Sequence, residues 1–463
     1  MRDNNLISKS PNDARQYQSL SLENGLQVML ISDPEASKGA AALDVNVGSG
    51  NDPEGREGLA HFLEHMLFLG TDKYPEPGEY QDFINRHGGS HNAFTSFEHT
   101  NYFFDIDADY LEPALDRFSQ QFVAPLFSEA YVEREINAVH SEYTSKLRDD
   151  SRRFFAVVKQ ALNPEHPMSD FAVGNLTTLA DRPNSRIRDE LLKFYEQHYS
   201  AHKMRLVVLG NQSLAELAHW VKEKFSAIAG RTVIEQDHPP IFRQDQLPML
   251  VSLQPLRDKR SLSLMFELPS VERYYHSKPI YYLTNLIGHE GEGSLLSWLK
   301  DQQLAEALSA GLFTSDQQRS VVNISISLTE KGREQYADVI RDTLTYIKLL
   351  INEGIEEWRF NEQSKMLQTS FRFQDKSPPI HYVSSIANRL HDHDPHDVLE
   401  VPYVMDEFNA ELLADFAKRF STDNMVVVLM APDAETDQIE RWYQTPYSIR
   451  TLSDSQVSYI NQT

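Results

Sequence analysis

The sequence predicts an α+β chain of two related domains, each a mostly antiparallel sheet covered by helices. Three observations carry that expectation. Short apolar runs of period two alternate with helical stretches longer than ten residues. The same element order recurs after a connector containing proline and charge. At 463 residues the chain exceeds what one hydrophobic core holds, so more than one domain is expected.

In chain order, residues 25–32 alternate apolar and polar and stop at Asp33 and Pro34, a strand signal. A second strand at 40–47 is closed by the turn-rich stretch 48–53. Residues 58–70 read as a helix with Gly70 at its C-terminal stop. Its apolar residues Leu59, Phe62, Leu63, Met66, Leu67 and Leu69 nearly surround it, the mark of a buried helix. A strand pair follows at 90–97 and 100–106, then helices at 111–122 and 128–162, strand 205–209 and helix 213–228. The connector is 235–246, which sets domains at 1–234 and 247–463. Beyond it come strand 261–268, helix 279–288, strand 321–328, helices 336–352 and 355–371, and strand 425–429.

Composition narrows the function classes. The formal net charge of −24 lacks the basic footprint of a nucleic-acid binder. No run approaches the roughly 18–20 apolar residues of a membrane span. The N-terminal residues lack a signal peptide's apolar centre, so a cytoplasmic protein is expected, or a periplasmic one if a leader was removed. The chain has no cysteine, which leaves histidine and carboxylate as the strong metal ligands.

The sharpest feature is His61-Phe-Leu-Glu64-His65 inside the apolar helix. Positions i and i+4 share a helix face, so both imidazoles can point at one ion. Glu64 can then reach a water polarised by that ion without being a ligand itself. Buried imidazoles and carboxylates are costly without such a partner. A catalytic zinc needs one more protein ligand. The acidic helix 128–162 is its best supplier, where Glu135 and Glu142 lie two turns apart on one face. Spacing does not choose between them.

Several motifs together resemble the insulinase/pitrilysin family, whose inverted zinc motif is H-x-x-E-H. They are GLAHFLEHMLFLGTDKYP at 58–75, GGSHNAFTSFEHTNYFFD at 88–105 and EREINAVHSE at 133–142. NPEHP at 163–167, GNLTTL at 174–179, LIGHEGEGSLLS at 286–297 and WYQTPY at 442–447 extend the likeness over nearly the whole chain.

The resemblance implies one Zn2+ per chain on His61, His65 and Glu142, with Glu64 as general base of a metalloendopeptidase. It implies that Glu135 orients a ligand histidine, that Asn92 and Ala93 contact substrate backbone on an edge strand, and that Phe68 lines the cleaved bond. It further implies half of a clamshell whose C-terminal half, on the same polypeptide or a separate chain, helps enclose small peptides. A homodimer stays open, as does a non-catalytic scaffold or peptide-holding module of the same fold. Nucleic acid and membrane are not expected partners.

Overall fold

A computed structural model describes residues 7–232 and 237–462. Glu235 and Gln236 of the expected connector lie outside the described residues. Contacts group the chain into two compact units, each built on its own sheet.

The first sheet holds Gln16–Ser21 (β1), Gln27–Ser32 (β2), Lys38–Val45 (β3), Ser90–Thr95 (β4), Thr100–Asp107 (β5) and Met204–Gly210 (β6), in the order β1-β2-β6-β3-β5-β4. All neighbours are antiparallel except β2 and β6. The second sheet comprises Met249–Leu253 (β7), Ser261–Pro269 (β8), Ala305–Ser315 (β9), Arg319–Leu328 (β10), Met425–Met430 (β11), Gln438–Ile439 (β12) and Pro446–Thr451 (β13). Its order is β12-β13-β7-β11-β8-β10-β9, with β7 and β11 the parallel pair. Leaving out β12, five strands match in order, β2-β6-β3-β5-β4 with β7-β11-β8-β10-β9; the sixth place is taken by the first strand of one unit, β1, and by the last of the other, β13. Each sheet inserts a late strand beside an early one and ends on a hairpin, so the expected relation between the domains is a relation of topology.

Both faces of the first sheet are covered. On one, Leu43 and Val45 pack with Phe62 and Leu63 of the helix Leu59–Leu67 and Phe118 of the helix Leu111–Val123. On the other, Met29, Ile31, Ala40, Ala42 and Val207 pack with Val383 and Ile386 of the helix Pro379–Arg389. Burial on both faces explains why β3 and β6 are almost continuously apolar, and why β2, expected to alternate, instead carries the unbroken apolar run 28–31. Edge strand β4 alternates exposed and half-buried residues instead.

The sequence expectation divides the chain at one connector, whereas the compact units are assembled from separated stretches. Residues 370–402 join 1–144 and 171–237, and residues 145–170 join 238–369 and 403–463. The cause is the apolar face of the helix Pro379–Arg389, which is buried on the first sheet. The single helix expected at 128–162 is two, Glu129–Ser145 and Asp150–Gln160. Asp149 restarts the chain as an N-cap, its carboxylate accepting the Ser151 and Arg152 backbone N–H groups. β1 and the paired edge strand β9 also escape the period-two reading, because their outer faces are mixed in polarity.

Candidate metal centre

The helix Leu59–Leu67 is held firmly at its N-terminal end. Its first free backbone N–H groups are met by Asp52, whose carboxylate oxygens accept from Gly58 N and Ala60 N at 2.7 Å each. Gly58 has φ +91°, and a Cβ there would lie 2.2 Å from Gly174 Cα. Only glycine allows that approach. The contact places the carbonyl of Val173, the neighbour of Gly174, against the His61 ring.

That carbonyl accepts a hydrogen bond from His61 Nδ1 at 2.7 Å. The proton is therefore on Nδ1, and the Nε2 lone pair faces the opposite way. His65 Nδ1 sits 3.4 Å from Glu135 Oε2, which aims the second Nε2 in the same sense. Glu135 is itself held by Arg134 Nε at 2.9 Å. The helix Glu129–Ser145 brings Glu142 Oε2 to 3.5 Å from His61 Nε2 and 3.6 Å from His65 Nε2. Between the two glutamates left open by spacing, geometry separates the roles: Glu142 meets both Nε2 atoms, and Glu135 meets only the outer nitrogen of His65.

These donors fit a small divalent cation. Around a tetrahedral ion with bonds of about 2.0–2.1 Å, ligand atoms lie about 3.4 Å apart. The spacings of 3.5 and 3.6 Å need little adjustment. Glu142 is 50% exposed, so the cluster is open to solvent on one side, as a catalytic ion requires. The same groups are strongly coupled electrostatically. The two imidazoles hold the Glu142 carboxyl well below the usual carboxylate range. Burial opposes a charge on His65, but Glu135 and Glu142 outweigh it and push its pKa up to about 9. Burial likewise opposes a charge on His61, where Glu142 again outweighs it and raises the pKa.

A second cluster, Asp44, His99 and His391, also joins one carboxylate to two histidines but with different spacings. Asp44 Oδ1 lies 2.8 Å from His99 Nδ1 and 2.9 Å from His391 Nε2, while Oδ2 accepts from Asn101 Nδ2 at 2.7 Å. Those are hydrogen-bond lengths around one buried carboxylate. The cluster is a clasp.

Glu64 lies on the same helix with 8% exposure, and burial pushes its carboxyl pKa up. Its Oε2 accepts the Thr95 hydroxyl at 2.5 Å. Asn92 is exposed on edge strand β4, and Ala93 beside it packs partly on the core. Phe68 caps the helix within an aromatic group, 5.9 Å from the Tyr80 ring, 6.0 Å from His91 and 5.8 Å from Tyr102. The sequence expectation holds no role for Asp52, Val173 or Thr95. Asp52 is findable as an acid just ahead of a helix. The Val173 carbonyl carries no side-chain signal at all.

Comparison with known proteins accords with this arrangement. Residues 27–165 match the family model described as insulinase, peptidase family M16. Residues 186–367 match the peptidase M16 inactive domain, and 371–463 the middle or third domain of peptidase M16. The chain is 42% identical to human insulin-degrading enzyme over 459 residues, covering 98% of this chain and 45% of that protein. It is 38% identical to the A-factor-processing enzyme of Saccharomyces cerevisiae over 443 residues, 94% of this chain and 43% of that one. The crystal structure of pitrilysin superposes with a TM-score of 0.95 at 31% identity, covering all of this chain and 49% of the other. The chain thus spans about half the length of the relatives it matches. Fold, motif order and these likenesses together place the chain in the insulinase family of peptidases, family M16.

Proposed function

We propose that this chain carries the metal centre of a zinc-dependent metalloendopeptidase that cleaves small peptides. The observation that carries the reading is the convergence of His61 Nε2, His65 Nε2 and Glu142 Oε2 within 4.8 Å of one another, beside a buried carboxylate. Two imidazoles and a carboxylate with an open side are the donor set of a catalytic zinc. Bound there, zinc supplies a Lewis acid that polarises a peptide carbonyl and acidifies water.

The chain's own residues do the rest. Val173 and Glu135 fix the tautomers that leave both Nε2 atoms free to bind. Glu64 takes a proton from the attacking water and later delivers it to the leaving amide nitrogen. An extended peptide adds to the free edge of β4, where Asn92 and Ala93 meet its main chain. Phe68 belongs to the apolar lining beside that edge.

Two relatives are named for degrading insulin and for processing A-factor, which supports a peptide substrate class. Because this chain covers less than half of those proteins, a C-terminal half, covalent or separate, is proposed to complete the chamber. Among the described residues no helix is long and apolar enough to cross a membrane.

The test is cleavage of a quenched fluorogenic peptide of about ten residues, with metal analysis of the same sample. The chain is assayed alone and with a matching C-terminal half. One zinc per chain and chelator-sensitive cleavage are expected, and Glu64→Gln should keep the metal while losing about 10²-fold or more of the turnover. Bound zinc without cleavage in either sample would leave a peptide-holding module or scaffold. No zinc would sink the reading.

A further inference from the structure

Glu64 must hold one orientation to work as a base, and its own helix does not provide it. The residue lies among apolar neighbours with 8% exposure. Among the described residues, the Thr95 hydroxyl makes the hydrogen bond seen to its carboxylate, on Oε2 at 2.5 Å. A hydroxyl has one proton to give. Given to Oε2, it leaves Oε1 as the oxygen presented to a reacting water.

Thr95 is well placed to be a fixed reference. It is the last residue of β4, paired with Thr100 of β5. The hairpin closes directly behind it, Ser96 N donating to His99 O at 2.7 Å. Thr100 is itself buried and tied to Val47 O at 2.8 Å. A β-branched side chain on such a backbone has few rotamers, so the strand sets the direction of the hydroxyl. Within β4, His91, Ala93 and Thr95 form the half-buried face, while Ser90, Asn92 and Phe94 form the exposed one. The half-buried face rests on the metal-site helix at two points: Thr95 on Glu64, and His91 beside Phe68.

We propose that Thr95 is a positioning residue for the general base, and that β4 therefore serves two tasks. One edge accepts the substrate's main chain; its last inward side chain sets the carboxylate that acts on that substrate. Disorder or displacement of β4 would cost binding and base orientation together. The inference rests on the reading of Glu64 as base, and it goes beyond that reading in saying what aims it.

The experiment compares wild type, Thr95→Val, Thr95→Ser and Glu64→Gln in the peptide assay, with zinc content measured for each. Valine keeps the shape and removes the proton donor; serine keeps the donor and removes the methyl. Thr95→Val should lower kcat about ten-fold or more with KM within about two-fold and zinc unchanged. Thr95→Ser should return to within about three-fold of wild type. A Thr95→Val enzyme with wild-type kcat, or a serine variant as slow as valine, overturns the proposal. Glu64→Gln that still cleaves would instead overturn the base assignment. Crystal structures of metal-free wild type and Thr95→Val provide a readout that needs no turnover. The Glu64 carboxylate is expected to swing away in the variant, and finding it unmoved overturns the proposal even if neither form cleaves.

Discussion

In the proposed zinc site, Glu135 governs the donor set from outside it. Its Oε2 faces His65 Nδ1, while Arg134 steadies the other oxygen. Removing the carboxylate leaves His65 free to rotate and to adopt the wrong tautomer. Glu135→Ala should therefore weaken zinc affinity about 10- to 100-fold, read by competition with a chromogenic chelator, while the fold stays intact. Glu142→Ala removes a donor outright and should cost more in the same titration. Equal affinities for the two variants would mean that the 3.4 Å contact is as important as direct ligation, and would contradict the division between a ligand and its orienting partner.

At the scale of the element, the metal-site helix depends on backbone that no side-chain motif reports. Gly58 and Gly174 approach closely enough to put the Val173 carbonyl on His61. Gly58→Ala adds a Cβ 2.2 Å from Gly174 Cα at φ +91°, so both sterics and dihedral oppose it. A loss of about 2–4 kcal/mol in urea unfolding is expected, accompanied by a drop in zinc content. Loss of stability with unchanged metal binding would show that the His61 ring is fixed by other contacts.

At the scale of the whole molecule, the Asp44 clasp ties stretches far apart in sequence. Asp44 is on β3 and Asn101 on β5, with His99 just before β5. Asn388 and His391 come from the end of the helix Pro379–Arg389, and Asn388 Nδ2 reaches Asp44 Oδ2 at 3.3 Å. Burial disfavours the Asp44 charge, but His391 and His99 outweigh it and hold the carboxyl far below its ordinary range. A carboxylate with a depressed folded-state pKa contributes stability that is present above its unfolded value near 4 and is lost as pH falls below that. Asp44→Asn should cost about 3–5 kcal/mol at pH 7, because His99, whose pKa Asp44 raises, loses a buried counter-charge and His391, which burial holds neutral, loses its acceptor. It should also flatten the fall in stability between about pH 5 and pH 3, measured by denaturant unfolding at each pH. An unchanged acid slope would show that other carboxylates dominate it.

Much of this was legible without coordinates, for a definite reason. The pair at i and i+4 with an acid between them is a local pattern, and helix geometry turns it into a shared face. The strand pair at β4 and β5, the apolar helix and the recurrence of element order are likewise written in short windows. The ordered motifs then pointed to the family that the comparisons show. Where the chain returned on itself, local signals ended. The choice between Glu135 and Glu142 as neighbour of both Nε2 atoms required the crossing of two helices. The helix Pro379–Arg389 went unread in the sequence, and which sheet would bury its apolar face was a matter of fit. Thr95 became a partner of Glu64, and Val173 of His61, only when strands and loops closed against one helix. Periodicity reports a residue's nearest neighbours along the chain; contacts between residues 31 and 112 positions apart are decided by packing, and those contacts aim the site.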